Sequence, residues 1–271
     1  MNKIEKITSR DNRRLVTARK VRDGKTGDNI FIEGKRLAAE ALRSDIEIAE
    51  CFVVEGFRET ELVDSSAAKG AAIYELPEKI FLSIADTDQP QGIILIAKRP
   101  VSRTGVIESR IKHSVLPIVI FLKEINNPSN LGAVLRTAEA ADVAGVIVSQ
   151  RSADVFSPRA LRSAMGASLR LAVWEDADLD EVIAWSRLQG LRSVAADISA
   201  TVSYSQLDWK SPSLIVFGSE AHGLNERELA AIDQKIHIPM ENNVESLNIA
   251  VSVGIILYEA KRVNFGSGRE Q

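Results

Sequence analysis

The chain has 271 residues, 45% hydrophobic and 26% charged, with a formal net charge of -3; it is long enough for two globular domains that need neither disulfide nor metal. No apolar run reaches the roughly 18 to 20 residues that span a bilayer, and MNKIEKITSRDNRRLV lacks the apolar core of a signal peptide, so a cytoplasmic protein is expected. A single cysteine, Cys51, excludes an internal disulfide; within IAECFVV it reads as a small buried residue rather than a redox or nucleophilic centre.

Charge is unevenly spread: residues 1–36 hold eleven Lys or Arg against five acids, a surplus of +6 that leaves -9 for the rest. That surplus suits a polyanion, although a solvated amphipathic helix gives the same count. Through the first hundred residues the β-like runs NIFIE, AECFVV, AAIYEL and GIILIA alternate with helical KRLAAEALRS and residues 60–69, which predicts a small α/β sandwich. KRPVSRTGVIESRIKHS is charged and short of apolar periodicity, so it reads as a linker. The expected domains are therefore 1–104 and 115–271, with 105–114 joining them.

From residue 117 the strands PIVIFL, GVIVS, LRLAVW, LRSVAA and SLIVF are nearly continuous apolar runs separated by helical segments. Such strands predict a mostly parallel sheet covered on both faces, with ligands at the carboxyl ends of the strands. The closing NFGSGREQ reads as disordered.

Three polar clusters follow successive strands. In LKEINNPSNLGAVLRTAEAA, Asn126, Asn127, Ser129 and Asn130 can turn the chain and cap a helix, and Arg136 follows inside that helix among apolar neighbours. A guanidinium there calls for an anion, either a substrate group or a neighbouring acid such as Glu139 or Glu220. In SLIVFGSEAHGLNERELAAI, a strand runs into Gly218, Glu220, His222 and Gly223, and the glycines permit close backbone approach to a ligand. His222 is either a general base or an unengaged loop histidine. In IHIPMENNVESLNIAVSVGIILYEAKR, a short strand leads to Ser246, Leu247 and Asn248, which open a helix that is apolar nearly all round until Tyr258. Such a helix must be buried by its own sheet and by a second subunit, while Ser246 and Asn248 can each serve as a cap. No GxGxxG, GxxxxGK or GxSxG occurs, and His113, His222 and His237 show no metal-ligand spacing.

Taken in order, NPSNLGAVLRTAEAA, FGSEAHGL and IPMENNVESLNIAVS resemble the three motifs of the SpoU/TrmH family of RNA 2′-O-ribose methyltransferases, and IFIEGKRLAAEAL with QGIILIA resembles the L30e-like RNA-binding domain that many members carry. The resemblance implies an α/β catalytic domain with a mostly parallel sheet and a C-terminal trefoil knot, a homodimer, and S-adenosylmethionine as cofactor. By motif match the cofactor lies against the backbone of Gly218, Ile238 and Leu247 and of Ala195 one strand earlier. Asn130, Arg136, Glu220, Ser246 and Asn248 match the functional polar positions. Ala221 and His222 depart from the small residues that many relatives carry there.

The implied reaction is displacement at a sulfonium methyl by a ribose 2′-hydroxyl, which needs positioning and proton removal. Arg136 is the family's proposed proton acceptor, yet a guanidinium with pKa of roughly 12 or more is a poor base. It fits better as a clamp on a phosphate and a developing alkoxide. Arg10, Arg13, Arg14, Lys35 and Arg36 of the basic segment are the expected RNA contacts, with ribosomal RNA favoured over transfer RNA as substrate. Two other readings stay open: a noncatalytic RNA-binding or assembly factor of the same fold, and a methyltransferase acting on a base.

Overall fold

The structure, a computed structural model, describes residues 4–101, 104–242 and 244–265 and separates the chain into two units: residues 1–101 with 154–170, and residues 102–153 with 171–271. In chain order the first hundred residues form β1 (Glu5–Lys6), α1 (Arg13–Arg22), β2 (Asn29–Glu33), α2 (Lys35–Arg43), β3 (Ile48–Val54), α3 (Thr60–Ala68), β4 (Ala72–Leu76), α4 (Glu78–Ile84) and β5 (Ile93–Lys98). Among the described residues their sheet has the order β1-β4-β3-β5-β2, with β3 parallel to β4 and antiparallel to β5. The basic segment is helical because Asn12 accepts a hydrogen bond from Arg14 N at 2.9 Å and Leu15, Ala18 and Val21 form one buried stripe. That stripe packs on Phe31, Phe52, Tyr74 and Phe81, and leaves Arg13, Arg14 and Lys20 exposed. Cys51 is fully buried, and burial pushes its thiol up to about 11, as suits an inert core residue.

The chain continues through α5 (Thr104–His113), β6 (Ile118–Leu122), α6 (Pro128–Ala140), β7 (Gly145–Ser149), α7 (Pro158–Ala164), α8 (Ala167–Arg170), β8 (Val173–Ala177), α9 (Leu179–Leu188), β9 (Arg192–Ala196), β10 (Val202–Ser203), β11 (Ser213–Phe217), α10 (Glu226–Ala230), β12 (Gln234–His237) and α11 (Ile249–Phe265). Among the described residues the second sheet has the order β10-β12-β9-β11-β6-β7-β8, and its strand pairs are parallel. β6, β7 and β11 are buried at every position, which is why their sequences are apolar throughout. Lys261 near the end of α11 is buried and donates to Asp142 O at 2.9 Å, just past α6; burial pushes its pKa down. No helix among the described residues is long and apolar enough to cross a membrane.

Three expectations change. Residues 105–114 are not a linker: α5 buries Ile107 and Ile111, one helical turn apart, in the core of the second unit, where Gly145 leaves room for Ile107. LRLAVW is not one strand, since Leu169 and Arg170 close α8 and β8 begins at Val173. Residues 154–170 belong with the first unit: α7 packs on β2 and buries Ala160, Leu161 and Ala164, and ion pairs Arg99–Asp154, Arg162–Asp86 and Arg170–Glu40 join the same unit. Of the tail read as disordered, Asn264 and Phe265 close α11 and the remainder lies outside the described residues.

β9 and β12 are also tied together at their starts. The Asp233 carboxylate accepts from Ser193 N at 2.9 Å and Ser193 Oγ at 2.7 Å. Burial alone would raise this carboxyl, but the Ser193 hydrogen bonds outweigh it and hold the group below its ordinary value of 3.8. A depressed carboxyl adds stability at neutral pH that is lost as pH falls through its folded-state value. Asp233→Asn is expected to cost about 1 kcal/mol at neutral pH, the usual charged hydrogen bond discounted for solvent exposure. Thermal unfolding of both proteins should show that difference closing in acid.

Candidate active site

β6 runs into the polar loop before α6, where Asn127 caps the helix by accepting from Ser129 N at 2.9 Å and Pro128 occupies the first turn. With the cap supplied by Asn127, the side chain of Asn130 is left for longer-range partners. Its Nδ2 donates to Glu220 Oε1, and its Oδ1 accepts from Asn248 Nδ2 at 3.1 Å. A carboxylate can only accept, so Glu220 fixes the Asn130 amide with nitrogen toward itself and oxygen toward Asn248. Asn248 Oδ1 in turn accepts from Ala250 N at 2.9 Å, so this residue both caps α11 and joins the network. Residues 90 and 118 positions apart thus meet on one amide, and with them all three motifs.

Glu220 is presented by a loop closed on itself: Ser219 N donates to Gly223 O at 3.2 Å and Gly223 N donates back at 2.9 Å. A Cβ on Gly218 would lie 2.4 Å from the Gly223 carbonyl carbon, so the loop closes only over glycine. Beyond it Asn225 and Glu228 form a reciprocal capping box for α10. His222 stands exposed near the loop tip, its backbone N–H on Ser219 Oγ at 3.1 Å.

This loop, the ends of β9 and β12, and the segment entering α11 enclose a cavity of about 420 Å³. Gly218, Glu220, Ile238, Ser246 and Leu247 line it. Ala195 does not: its side chain is fully buried in the core and its backbone is paired between Val216 and Lys235. The strand alternates sides, so the next residue, Ala196, reaches the cavity instead. Asn130, Asn248 and Arg136 are not in the lining; the first two reach it through Glu220. Arg136 is exposed on α6 and makes no ion pair with a described residue, so the pairing with Glu139 or Glu220 weighed from sequence is not formed. Solvent, rather than a buried acid, carries its charge.

Sequence reasoning missed Asp197, His237 and Glu245 in the lining. His237 Nδ1 is buried without a hydrogen-bond partner among the described residues. The signal was present in IHIP, where His237 alternates with Ile236 and Ile238 at a strand end. Apolar Ile238, Leu247, Ile249 and Ile256, together with carboxylates Asp197, Glu220 and Glu245, suit a ligand with a flat apolar part and a cationic part.

In the first unit Arg14 lies 2.6 Å from Glu50 and 4.7 Å above the Tyr74 ring, and Lys35 lies 2.5 Å from Glu59. Arg10, Arg13 and Arg36 are exposed without an ion pair to a described residue. Part of the basic surplus is therefore spent within the fold.

Residues 117–258 match the SpoU rRNA Methylase family and residues 10–95 match the MRM3-like substrate binding domain. An uncharacterized tRNA/rRNA methyltransferase of Synechocystis sp. is 32% identical over 74% of this chain and 71% of that protein. The 23S rRNA (guanosine(2553)-2′-O)-methyltransferase RlmP of Bacillus subtilis is 26% identical over 95% of this chain and all (100%) of that one. The AdoMet-bound rRNA methyltransferase from Sinorhizobium meliloti superposes with a TM-score of 0.84 at 27% identity, covering 96% of this chain and 98% of its own. With the family match spanning the parallel sheet, the three linked motifs and the cavity they enclose, the chain belongs to the SpoU rRNA methylase family of RNA methyltransferases.

Proposed function

We propose that this protein methylates a ribose 2′-hydroxyl of ribosomal RNA, with S-adenosylmethionine bound in the cavity at the ends of β9, β11 and β12. The observation that carries this reading is the hydrogen-bonded chain Glu220–Asn130–Asn248 at the cavity wall, which unites residues that the fold alone does not require together. Bound there, S-adenosylmethionine supplies an electrophilic methyl group on a positively charged sulfur. Gly218, Ile238 and Leu247 hold it through backbone and apolar contact, and Asp197, Glu220 and Glu245 make the lining electronegative, which suits its cationic centre. Ser246 presents a hydroxyl to the same cavity. Asn130 and Asn248 fix the carboxylate of Glu220, and Arg136, carrying no ion pair to a described residue, receives the substrate phosphate and stabilises the alkoxide as the hydroxyl proton passes to water, with S-adenosylhomocysteine as the leaving group.

The ribose and ribosomal assignments draw on the 23S rRNA 2′-O-methyltransferase relative, which this chain matches over nearly its whole length. The first unit, residues 1–101 with 154–170, is the substrate-binding domain of this reading, with Arg10, Arg13 and Arg36 as phosphate contacts and Arg14 and Lys35 as cations shared with their acids. The trefoil knot belongs to it too: β12 sits beside β9 on the far side of β11, and α11 returns to pack on α6. A cytoplasmic homodimer completes it. Val251 and Tyr258, two turns apart on α11, are 50% and 48% exposed, an apolar stripe that a second copy would cover.

Labelled S-adenosylmethionine and total RNA test the reading. Transfer into ribosomal RNA is expected, with a nuclease-resistant dinucleotide in the digest, because a 2′-O-methyl group blocks cleavage at its own linkage. No transfer would favour the noncatalytic factor, and label recovered on a base would favour base methylation.

A further inference from the structure

The first unit has a cleft of its own, about 630 Å³ in volume and lined wholly by residues between 35 and 92; ligand pockets span roughly 300–1,000 Å³. Its lining includes apolar Val54, Phe57, Phe81, Leu82 and Pro90. The Phe57 ring is half-buried and fixed: Gly92 passes so close that a Cβ there would lie 3.1 Å from the ring, and the Lys35 ammonium sits 5.7 Å from its centroid.

The loop that leads from α4 to the lining residues 88–92 is fixed as well. Glu33 is 5% exposed, and its carboxylate accepts from Asp86 N at 2.6 Å, from Thr87 N at 3.3 Å and from the Thr87 hydroxyl, which pins the loop after α4. Further along, Gln91 Oε1 accepts from Lys35 N at 2.9 Å, leaving the Gln91 NH2 free to donate elsewhere. A buried carboxylate committed to three donors at a loop is a costly arrangement, and here it holds a cavity wall in one shape.

Charge decides what fits. The lining carries Lys35 and Arg58 against Glu59, Glu78 and Asp88, so a phosphate inside would meet more carboxylate than cation. A flat, neutral group with both donors and acceptors on its edge suits a lining that combines an aromatic ring with amides and acids. Arg58, exposed and without an ion pair to a described residue, stands where a phosphate outside the cleft would be met.

We propose that this cleft takes one unstacked base of single-stranded RNA, stacked on Phe57, its edge met by Gln89 and Gln91 and its neighbouring phosphate by Arg58. The inference deepens the RNA-substrate reading and rests on it. It adds a base-recognition site to a domain whose other expected contacts are to phosphate.

The test uses the full chain and a short single-stranded RNA oligonucleotide carrying 2-aminopurine, beside the same oligonucleotide with an abasic position. Quenching of the 2-aminopurine is expected, with the intact strand bound about tenfold more tightly than the abasic one, as stacking on an aromatic side chain provides. Phe57→Leu should remove that preference, and Gln89→Ala, at an exposed position that cannot disturb folding, should reduce it. Arg58→Ala should weaken both strands alike and lower the salt slope by about 0.7, the value for one phosphate on a single strand. Equal binding of intact and abasic strands, with the salt slope still dependent on Arg10 and Arg13, overturns the cleft while leaving the RNA-substrate reading intact. Failure to bind either strand or total ribosomal RNA overturns both.

Discussion

Arg136→Ala is expected to slow methyl transfer about 10²–10³-fold, the loss that follows removal of one preorganised donor to a developing oxyanion. Affinity for S-adenosylmethionine should barely change, because Arg136 is outside the cavity lining. Two roles compete for this residue, and Arg136→Lys separates them. If the side chain accepted the hydroxyl proton, exchanging a guanidinium for an ammonium, which gives up its proton more readily, would move the rising limb of the pH–rate profile to lower pH. If it clamps a phosphate and alkoxide, the profile keeps its shape and only the rate falls, because an ammonium lacks the planar fork. The clamp is the expected result: a guanidinium is a poor base, and Arg136, exposed and carrying no ion pair to a described residue, has its planar fork available for a substrate phosphate. Single-turnover rates across pH, with RNA affinity measured separately, give the answer. Near-full activity of the lysine variant at unchanged RNA affinity would remove any need for the fork, and a wild-type rate for the alanine variant would end the role altogether.

The parallel sheet was legible because burial on both faces leaves no alternation: PIVIFL, GVIVS and SLIVF became β6, β7 and β11 within a residue of their expected bounds. α5 was hidden because only Ile107 and Ile111 mark its buried face and charged residues surround them. The departure of residues 154–170 to the first unit rests on α7 packing on β2 and on ion pairs such as Arg162–Asp86, and neither the partner of a buried helix face nor that of a charge is written in local periodicity. At the site, the sequence carried the residue types and their order but not their meeting. Nothing local says that Asn130 turns its two amide ends to Glu220 and Asn248 while Asn127 does the capping. Arg136 was placed among apolar neighbours in sequence, yet on the helix it faces outward, since residues 134, 135 and 138 take the buried side. Ala196 rather than Ala195 lines the cavity because successive strand residues face opposite sides, and motif spacing alone does not set that parity.

Gly218→Ala is expected to abolish measurable cofactor binding, whereas Gly223→Ala, in the same loop, should weaken it only several-fold. The two glycines differ in what surrounds them. A methyl group on Gly218 would lie 2.4 Å from the Gly223 carbonyl carbon, 2.7 Å from its Cα and 2.7 Å from Leu224 N, all backbone atoms that no rotamer change can move aside. Relief requires the loop to open, breaking the two backbone hydrogen bonds between Ser219 and Gly223 and shifting Glu220 away from Asn130. Overpacking of this kind costs about 1–3 kcal/mol or more when relief is available elsewhere; here the displaced strand-to-helix turn is itself the cavity wall. Gly223 meets nothing within 4 Å and carries only a positive φ of 61°, so alanine there pays the left-handed backbone penalty of about 1–2 kcal/mol and leaves the cavity standing. Calorimetric titration with S-adenosylmethionine, with thermal unfolding as a check that both variants fold, compares them directly. Gly218→Ala binding as well as Gly223→Ala would mean that the loop is not the cofactor's wall, and the reading of the whole cavity would fall with it.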